Sequence, residues 1–126
     1  MKSQHFSISK RLKSFTYAFN GFKILFKEEH NARIHTAIGI LVLILSVYFG
    51  LNINEWMAIL FSIGLVFSAE IFNSAIENLC DFVSPQWNDK IKKVKDLSAA
   101  AVLLSAIIAV AIGIIIFIPK WIALVN

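Results

Sequence analysis

Between Ala69 and Asp81 the chain reads AEIFNSAIENLCD, and its polar residues are not scattered. On a helix turning about 100° per residue, with Glu70 at zero, Glu77 falls near about −20° and Asp81 near about +20°. Ser74 falls near about +40° and Asn73 near about −60°. Three carboxylates, a hydroxyl and an amide thus share one arc, while Phe72, Ile76 and Leu79 take the opposite side. A row of like charges needs a cation to hold it together. Oxygen-only donors suit Mg2+, which keeps most of its waters and takes one or two carboxylates plus substrate phosphates. Two other readings of the same face stay open: a helix–helix contact glued by Asn73, Ser74 and protonated acids, and the lining of a cation channel.

Further charged residues could join this row. Glu28 and Glu29 close a preceding basic segment, with Arg33 and His35 just beyond them; Lys95 and Asp96 follow a second basic stretch. For Glu28, Lys90, Lys92 and Lys93 a solvated or snorkelling position is the simpler reading. No GxxxxGK[ST] loop and no soluble-kinase signature is present, so phosphoryl chemistry here would run on a metal, carboxylates and Lys or Arg alone. His5, His30 and His35 show no metal-ligand spacing, and the single Cys80 excludes an internal disulfide.

The elements that must position these residues are membrane helices. The 126 residues are 58% hydrophobic with mean hydropathy +0.73, more apolar surface than a soluble globule of this size can hide. From about Ser9 to Lys27, Leu12, Phe15, Phe19, Phe22 and Phe26 recur at helical spacing, with Lys13, Asn20, Lys23 and Lys27 opposite. This predicts an amphipathic helix lying in the interface. Three apolar blocks follow, at about 34–53, 56–80 and 97–118, each long enough for a ~30 Å hydrocarbon core at ~1.5 Å per residue. The expected architecture is an all-α membrane protein: one domain over 1–126, an interfacial helix and three spans. Pro119, Lys120 and Trp121 are expected to close the third span, and Ser84-Pro85 to stop the second. The net charge of +4 gathers before the first block and at Lys90, Lys92, Lys93 and Lys95. Such placement fits anionic head groups better than nucleic acid, and it sets the N-terminus and the 82–95 loop in the cytoplasm, with an uncharged 52–54 turn and the C-terminus outside. The first apolar block starts too late for a secretory signal peptide.

Taken together, E70-I-F-N73-S-A-I-E77-N-L-C-D81 followed by K95-D96-L-S-A-A-A-V-L resembles the signature of the small bacterial integral-membrane diacylglycerol and undecaprenol kinases. The resemblance covers nearly the whole chain. It implies transfer of the ATP γ-phosphoryl group to a lipid alcohol at the cytoplasmic side of the bacterial inner membrane, with Mg2+, by a homotrimer whose subunits share active sites. Carried across residue by residue, Glu70 matches the catalytic base, and Glu29 and Glu77 match the metal-binding acids. Tyr17, Glu29, Glu77, Lys95 and Asp96 match nucleotide positions, and Asn73 and Asp81 match further polar motif positions. Two departures stand out. Gln86-Trp87-Asn88 replaces a frequent Glu-Tyr-His triplet, removing a histidine contact to the nucleotide, and Lys10, beside Arg11, stands for an N-terminal arginine. The stretch Glu29–His35 and the S-P-x-W loop look closer to the undecaprenol kinase branch, which implies undecaprenol as acceptor, with diacylglycerol as the alternative. A non-enzymatic scaffold or an ion-conducting oligomer is the reading from a different class.

Overall fold

The structure, a computed structural model, describes residues 6–126 as four helices. They are α1 (Ile8–Glu28), α2 (His30–Tyr48), α3 (Ile53–Val83) and α4 (Asp89–Val125). Lys2 and His5 lie outside the described residues. No strand occurs among the described residues, and α2, α3 and α4 are each long and apolar enough to cross a bilayer. The chain is an all-helical membrane protein. Its leucines, isoleucines and phenylalanines are largely exposed, because the solvent they meet is hydrocarbon and burial among helices gains them little. On α1 the rings of Phe15 and Phe19 are more than half exposed, as an interfacial helix requires.

Small residues recur on the inward faces of α2 and α4. On α2 the buried positions are Ala32, Gly39 and Ser46, at seven-residue steps. On α3 Ile59, Ser62, Val66, Glu70 and Asn73 recur every three or four residues, and on α4 Ser98 and Ser105 repeat the step of seven. Small side chains let helix backbones approach closely, and the heptad-like rhythm keeps one face turned inward. Hydroxyls on these faces need no water. Ser46, Ser62 and Ser105 each donate to the carbonyl four residues back.

The frame is the antiparallel pair of α3 and α4. Three polar rungs tie it: Glu55 Oε2 to Lys120 Nζ at 3.1 Å, Ser98 Oγ to Asn73 Oδ1 at 2.7 Å, and Lys95 to Asp81. The apolar core sits near the first rung, where Leu51, Ile59 and Ile116 pack with Phe49, Trp56 and Phe117. α2 rests more lightly on α3, and α1 joins the rest mainly through α2.

Helix ends differ from the sequence expectation. α2 stops at Tyr48, short of residue 53, and the reversal runs through Phe49–Leu51. Asn52 belongs to the next helix as its N-cap: its side chain accepts from the Glu55 N–H while the Glu55 carboxylate accepts from the Asn52 N–H. The reversal is possible because Gly50 holds a φ of +61°. α4 starts at Asp89, so most of the basic 82–95 stretch is helical, and it runs through Pro119 to Val125 where a stop was expected. Proline is tolerated inside membrane helices, and the extra turns bring Lys120 back to Glu55.

A side chain at Gly50 would meet no neighbour within 4 Å, so its substitution isolates backbone strain. Gly50→Ala is expected to lower stability by about 1–2 kcal/mol, read as a fall in the thermal unfolding midpoint in detergent. An unchanged midpoint would show that the turn tolerates another conformation.

Candidate active site

The site begins at an elbow. α1 ends at Glu28, and Glu29 alone is non-helical (φ −99°, ψ 112°) before α2 starts at His30. Arg33 holds this break. Its Nε donates to the Phe26 carbonyl at 2.8 Å and its Nη2 to the Lys27 carbonyl at 2.6 Å, satisfying carbonyls that the end of α1 leaves open. Phe26 also meets Phe67 of α3, with ring centroids 6.4 Å apart. With α1 so fixed, the half-buried Glu29 carboxylate faces α3, where the Ser74 hydroxyl donates to its Oε1 at 2.9 Å.

Ser74 lies about one helical turn from Glu70 on one side and from Glu77 on the other. Glu29 is thereby set between them, and both Glu29 and Glu77 lie within electrostatic reach of Glu70. Glu70 is 1% exposed. His35 Nε2 stands 3.1 Å from its Oε1, out of line for a hydrogen bond, and that oxygen has no hydrogen-bond partner among the described residues. The contacts Glu29–Ser74 and His35–Glu70 step in opposite directions along α2 and α3, as antiparallel neighbours must.

On the other side of α3, Asn73 is buried and receives the Ser98 hydroxyl, which also lies 3.0 Å from the Lys95 carbonyl. Part of the polar face therefore does act as helix–helix glue, through Asn73 and Ser74. Asp81 is exposed and paired with Lys95, and Glu77 in turn reaches Lys95 electrostatically. Beside Lys95 a pocket of about 210 Å³ is lined by Asp81, Trp87, Asn88 and Lys92 among others.

The linked set thus holds Glu29, Glu70, Asn73, Glu77, Asp81 and Lys95. Two expected nucleotide residues stay outside it. Tyr17 is 71% exposed on α1. Asp96 pairs with Lys92 one turn back, because adjacent helical residues point about 100° apart. No group of three or more His, Cys, Asp and Glu able to hold a metal occurs among the described residues. The site offers Glu29, held by the Ser74 hydroxyl, and Glu77 about one turn beyond Ser74 on α3, a donor set that fits a cation carried in by phosphate oxygens better than a resident ion in an all-protein cage.

Sequence reasoning set Arg33 and His35 near the acids but gave them no partners, and it gave Ser98 no role. His35 and Arg33 were visible only as charges at the mouth of a span; their partners depend on the α2–α3 register and on the elbow. Ser98 sits in the alanine-rich start of α4 and carries no local signal.

Fold and site define a helical membrane protein that keeps a carboxylate cluster at one end of its spans. Comparison with known proteins gives the class its name. The family model for prokaryotic diacylglycerol kinase matches residues 16–117. Undecaprenol kinase of Bacillus subtilis is 36% identical over 119 residues, covering 94% of this chain and 97% of that protein. Diacylglycerol kinase of Synechocystis is 33% identical over 114 residues, covering 90% of this chain and 65% of that protein. The Escherichia coli K12 diacylglycerol kinase is 26% identical over 99 residues. The chain belongs to the prokaryotic diacylglycerol kinase family, and it is a membrane lipid kinase.

Arg33 is placed to orient Glu29 without entering the site. Arg33→Leu is expected to lower turnover on the order of 10- to 100-fold, the usual cost of a misplacement near 1 Å, while the protein still inserts. Turnover per inserted protein checks it; full activity would mean that the elbow holds without its clamp.

Proposed function

We propose that the chain, working as one domain, transfers the ATP γ-phosphoryl group to undecaprenol at the cytoplasmic face of a bacterial cytoplasmic membrane, yielding undecaprenyl phosphate. The observation that carries the substrate is the match to the Bacillus enzyme from end to end, 97% of its length. Diacylglycerol is the second reading, favoured by the kinases of that name among the relatives.

The chemistry follows from the burial of Glu70. A carboxylate oxygen without a partner inside a span lacks a donor, and a lipid hydroxyl supplies one. Glu70 Oε1 accepts the hydroxyl proton. The hydroxyl oxygen bonds to the γ-phosphorus as the bond from that phosphorus to the β–γ bridging oxygen breaks, and ADP leaves. Glu29 and Glu77 are the residues to hold Mg2+ with the ATP phosphates, and the ion, when bound, neutralises phosphate charge. Lys95, beside the 210 Å³ pocket, adds fixed positive charge toward the nucleotide. Asn73 and Asp81 brace the site from within: Asn73 through Ser98, Asp81 by holding Lys95. The assignment of Tyr17 and Asp96 to the nucleotide rests on the family resemblance and fits an oligomer, a homotrimer, in which a second copy brings them to the site. The broad exposed apolar surface of the spans leaves room for such neighbours.

Separate roles for the two acids on α3 make separate expectations. Glu70→Gln should lose kcat on the order of 10^2- to 10^4-fold with nucleotide affinity kept, whereas Glu77→Gln should weaken Mg2+-ATP binding itself. Equal loss of nucleotide affinity in both would merge the two roles. In matched micelles undecaprenol should give the higher kcat/KM, and the reverse order would assign diacylglycerol. For orientation, Lys90→Cys in a Cys80→Ser background should resist an impermeant thiol reagent in intact cells; labelling from outside would invert the topology.

A further inference from the structure

We propose that Ser98 is a positioning residue for phosphoryl transfer: its hydroxyl fixes the Asn73 amide with the oxygen toward α4 and the nitrogen toward the transferred group. The inference rests on the kinase site proposed above and extends it to a residue of α4 that touches no substrate.

Hydroxyls inside the spans follow two patterns. Thr36, Ser46, Ser62 and Ser105 each donate to the carbonyl four residues back on their own helix, the ready outlet for a hydroxyl with no water to meet. Ser74 and Ser98 instead cross to another element, and both crossings end on site residues, Glu29 and Asn73. Ser98 is buried, and no other polar side chain lies on α4 between Asp96 and Ser105. In a stretch that is otherwise alanine, leucine and valine, one hydroxyl is spent on one amide.

A serine hydroxyl carries one proton, and two oxygens compete for it: Asn73 Oδ1 at 2.7 Å and the Lys95 carbonyl at 3.0 Å. The Lys95 carbonyl lies inside α4, where the helix ladder already supplies it with a backbone N–H. The proton is therefore needed only at Oδ1. Turning the amide over would reverse the sense, with Nδ2 donating to Ser98 and the Ser98 proton going to Lys95. Oδ1 would then occupy the other arm of the amide, on a face that holds Glu70 three residues back and Glu77 four residues on. An amide oxygen is repelled by carboxylates and offers a phosphoryl oxygen no donor. The sense seen in the structure avoids both.

With Oδ1 bonded, the amide nitrogen is left over. It makes no hydrogen bond among the described residues, yet the one buried side-chain N or O atom there without a partner is Glu70 Oε1. Nδ2 thus reaches the surface of the site. It stands about one turn from the acid assigned to the acceptor and about one turn from the acid assigned to Mg2+-ATP, the interval the γ-phosphoryl group crosses. There its N–H groups meet non-bridging γ-phosphoryl oxygens and stabilise the charge spread over them during transfer. No bond to Asn73 or Ser98 forms or breaks. Ser98 supplies direction alone: the terminal amide torsion is broad and roughly two-fold, so without the hydroxyl either end of the amide can face the phosphate.

The test uses the full chain in lipid nanodiscs, with turnover of Mg2+-ATP and with binding of ADP and of the non-hydrolysable analogue AMP-PNP. Ser98→Ala is expected to lose kcat on the order of tenfold, less than outright removal of a transition-state donor costs, with the KM for the lipid alcohol unchanged. AMP-PNP should bind roughly 5- to 10-fold more weakly, while ADP, which lacks the γ-phosphoryl group, binds as in the wild type. Asn73→Ala should show both effects more strongly. Adding Ser98→Ala to Asn73→Ala should leave AMP-PNP affinity where Asn73→Ala alone puts it, because a residue that acts only through Asn73 has nothing left to direct. Ser98→Thr, which keeps the hydroxyl, should retain turnover, and its isostere Ser98→Val should match Ser98→Ala; that pair decides if the alanine variant fails to insert. Equal weakening of ADP and AMP-PNP, additive losses in the double variant, or equal impairment of the Thr and Val variants overturns the proposal and leaves Ser98 a packing contact. Wild-type turnover and AMP-PNP affinity in Asn73→Ala would instead remove Asn73 from the site, which refutes the reading on which the proposal rests.

Discussion

A carboxylate held inside a membrane span must be answered by the protein, because hydrocarbon offers it nothing. Glu70 is that group here, and the arrangement of the end of the molecule that carries the acids follows from it. Insertion scales place the cost of an acid at mid-span near ~2.5–3.5 kcal/mol. Two helices contribute to meeting it: α2 brings His35 to its edge, and α3 carries it on the face that also holds Asn73 and Ser74. The answer is incomplete, since one oxygen stays without a partner. A protein under no functional demand would complete the shell or replace the acid. On the function proposed above, a hydroxyl fills that deficit, and the feature that costs stability is the one that receives the acceptor.

Apolar packing and polar contacts are separated along the α3–α4 pair. At the end of the α3–α4 pair remote from the acids, an aromatic and aliphatic cluster, a capping box and the Glu55–Lys120 pair close the structure. At the other end contacts are polar, directional and few, and α2 leans against α3 through small residues. Strength at one end permits looseness at the other.

Much of this was legible in the sequence. Three apolar blocks and a period of phenylalanines implied three spans and an interfacial helix, because length and periodicity are local properties. The single face shared by Glu70, Asn73, Ser74 and Glu77 was likewise visible, being helical arithmetic. The helix ends were harder: Asn52 read as part of a turn because a capping residue and a turn residue have the same composition, and Pro119 read as a stop because neighbours in a membrane can satisfy what proline removes. Contacts between helices were illegible. Nothing near Arg33 announces that its guanidinium turns back to the α1 carbonyls, and nothing near His35 announces Glu70. Those depend on register, which only the folded chain displays. Asp96 shows the converse. Adjacent to Lys95 in sequence, it faces elsewhere in space.

The one-residue break at Glu29 has a consequence for the membrane itself. Arg33 clamps α1 to α2, and an amphipathic helix of this composition, placed in the interface as its sequence implies, is a float whose draught is set by lysines on one side and phenyl rings on the other. The acids hang at a fixed depth beneath that float. α3, at 31 residues and ~1.5 Å each, is longer than a ~30 Å hydrocarbon slab, and bilayers of different thickness must be accommodated somewhere along it. Because the float is tied to the end that carries the acids, the mismatch is absorbed by tilt and by the far end, where α4 continues beyond Pro119. With α1 in the interface, the depth of the buried carboxylate is set by that tie and not by the thickness of the membrane.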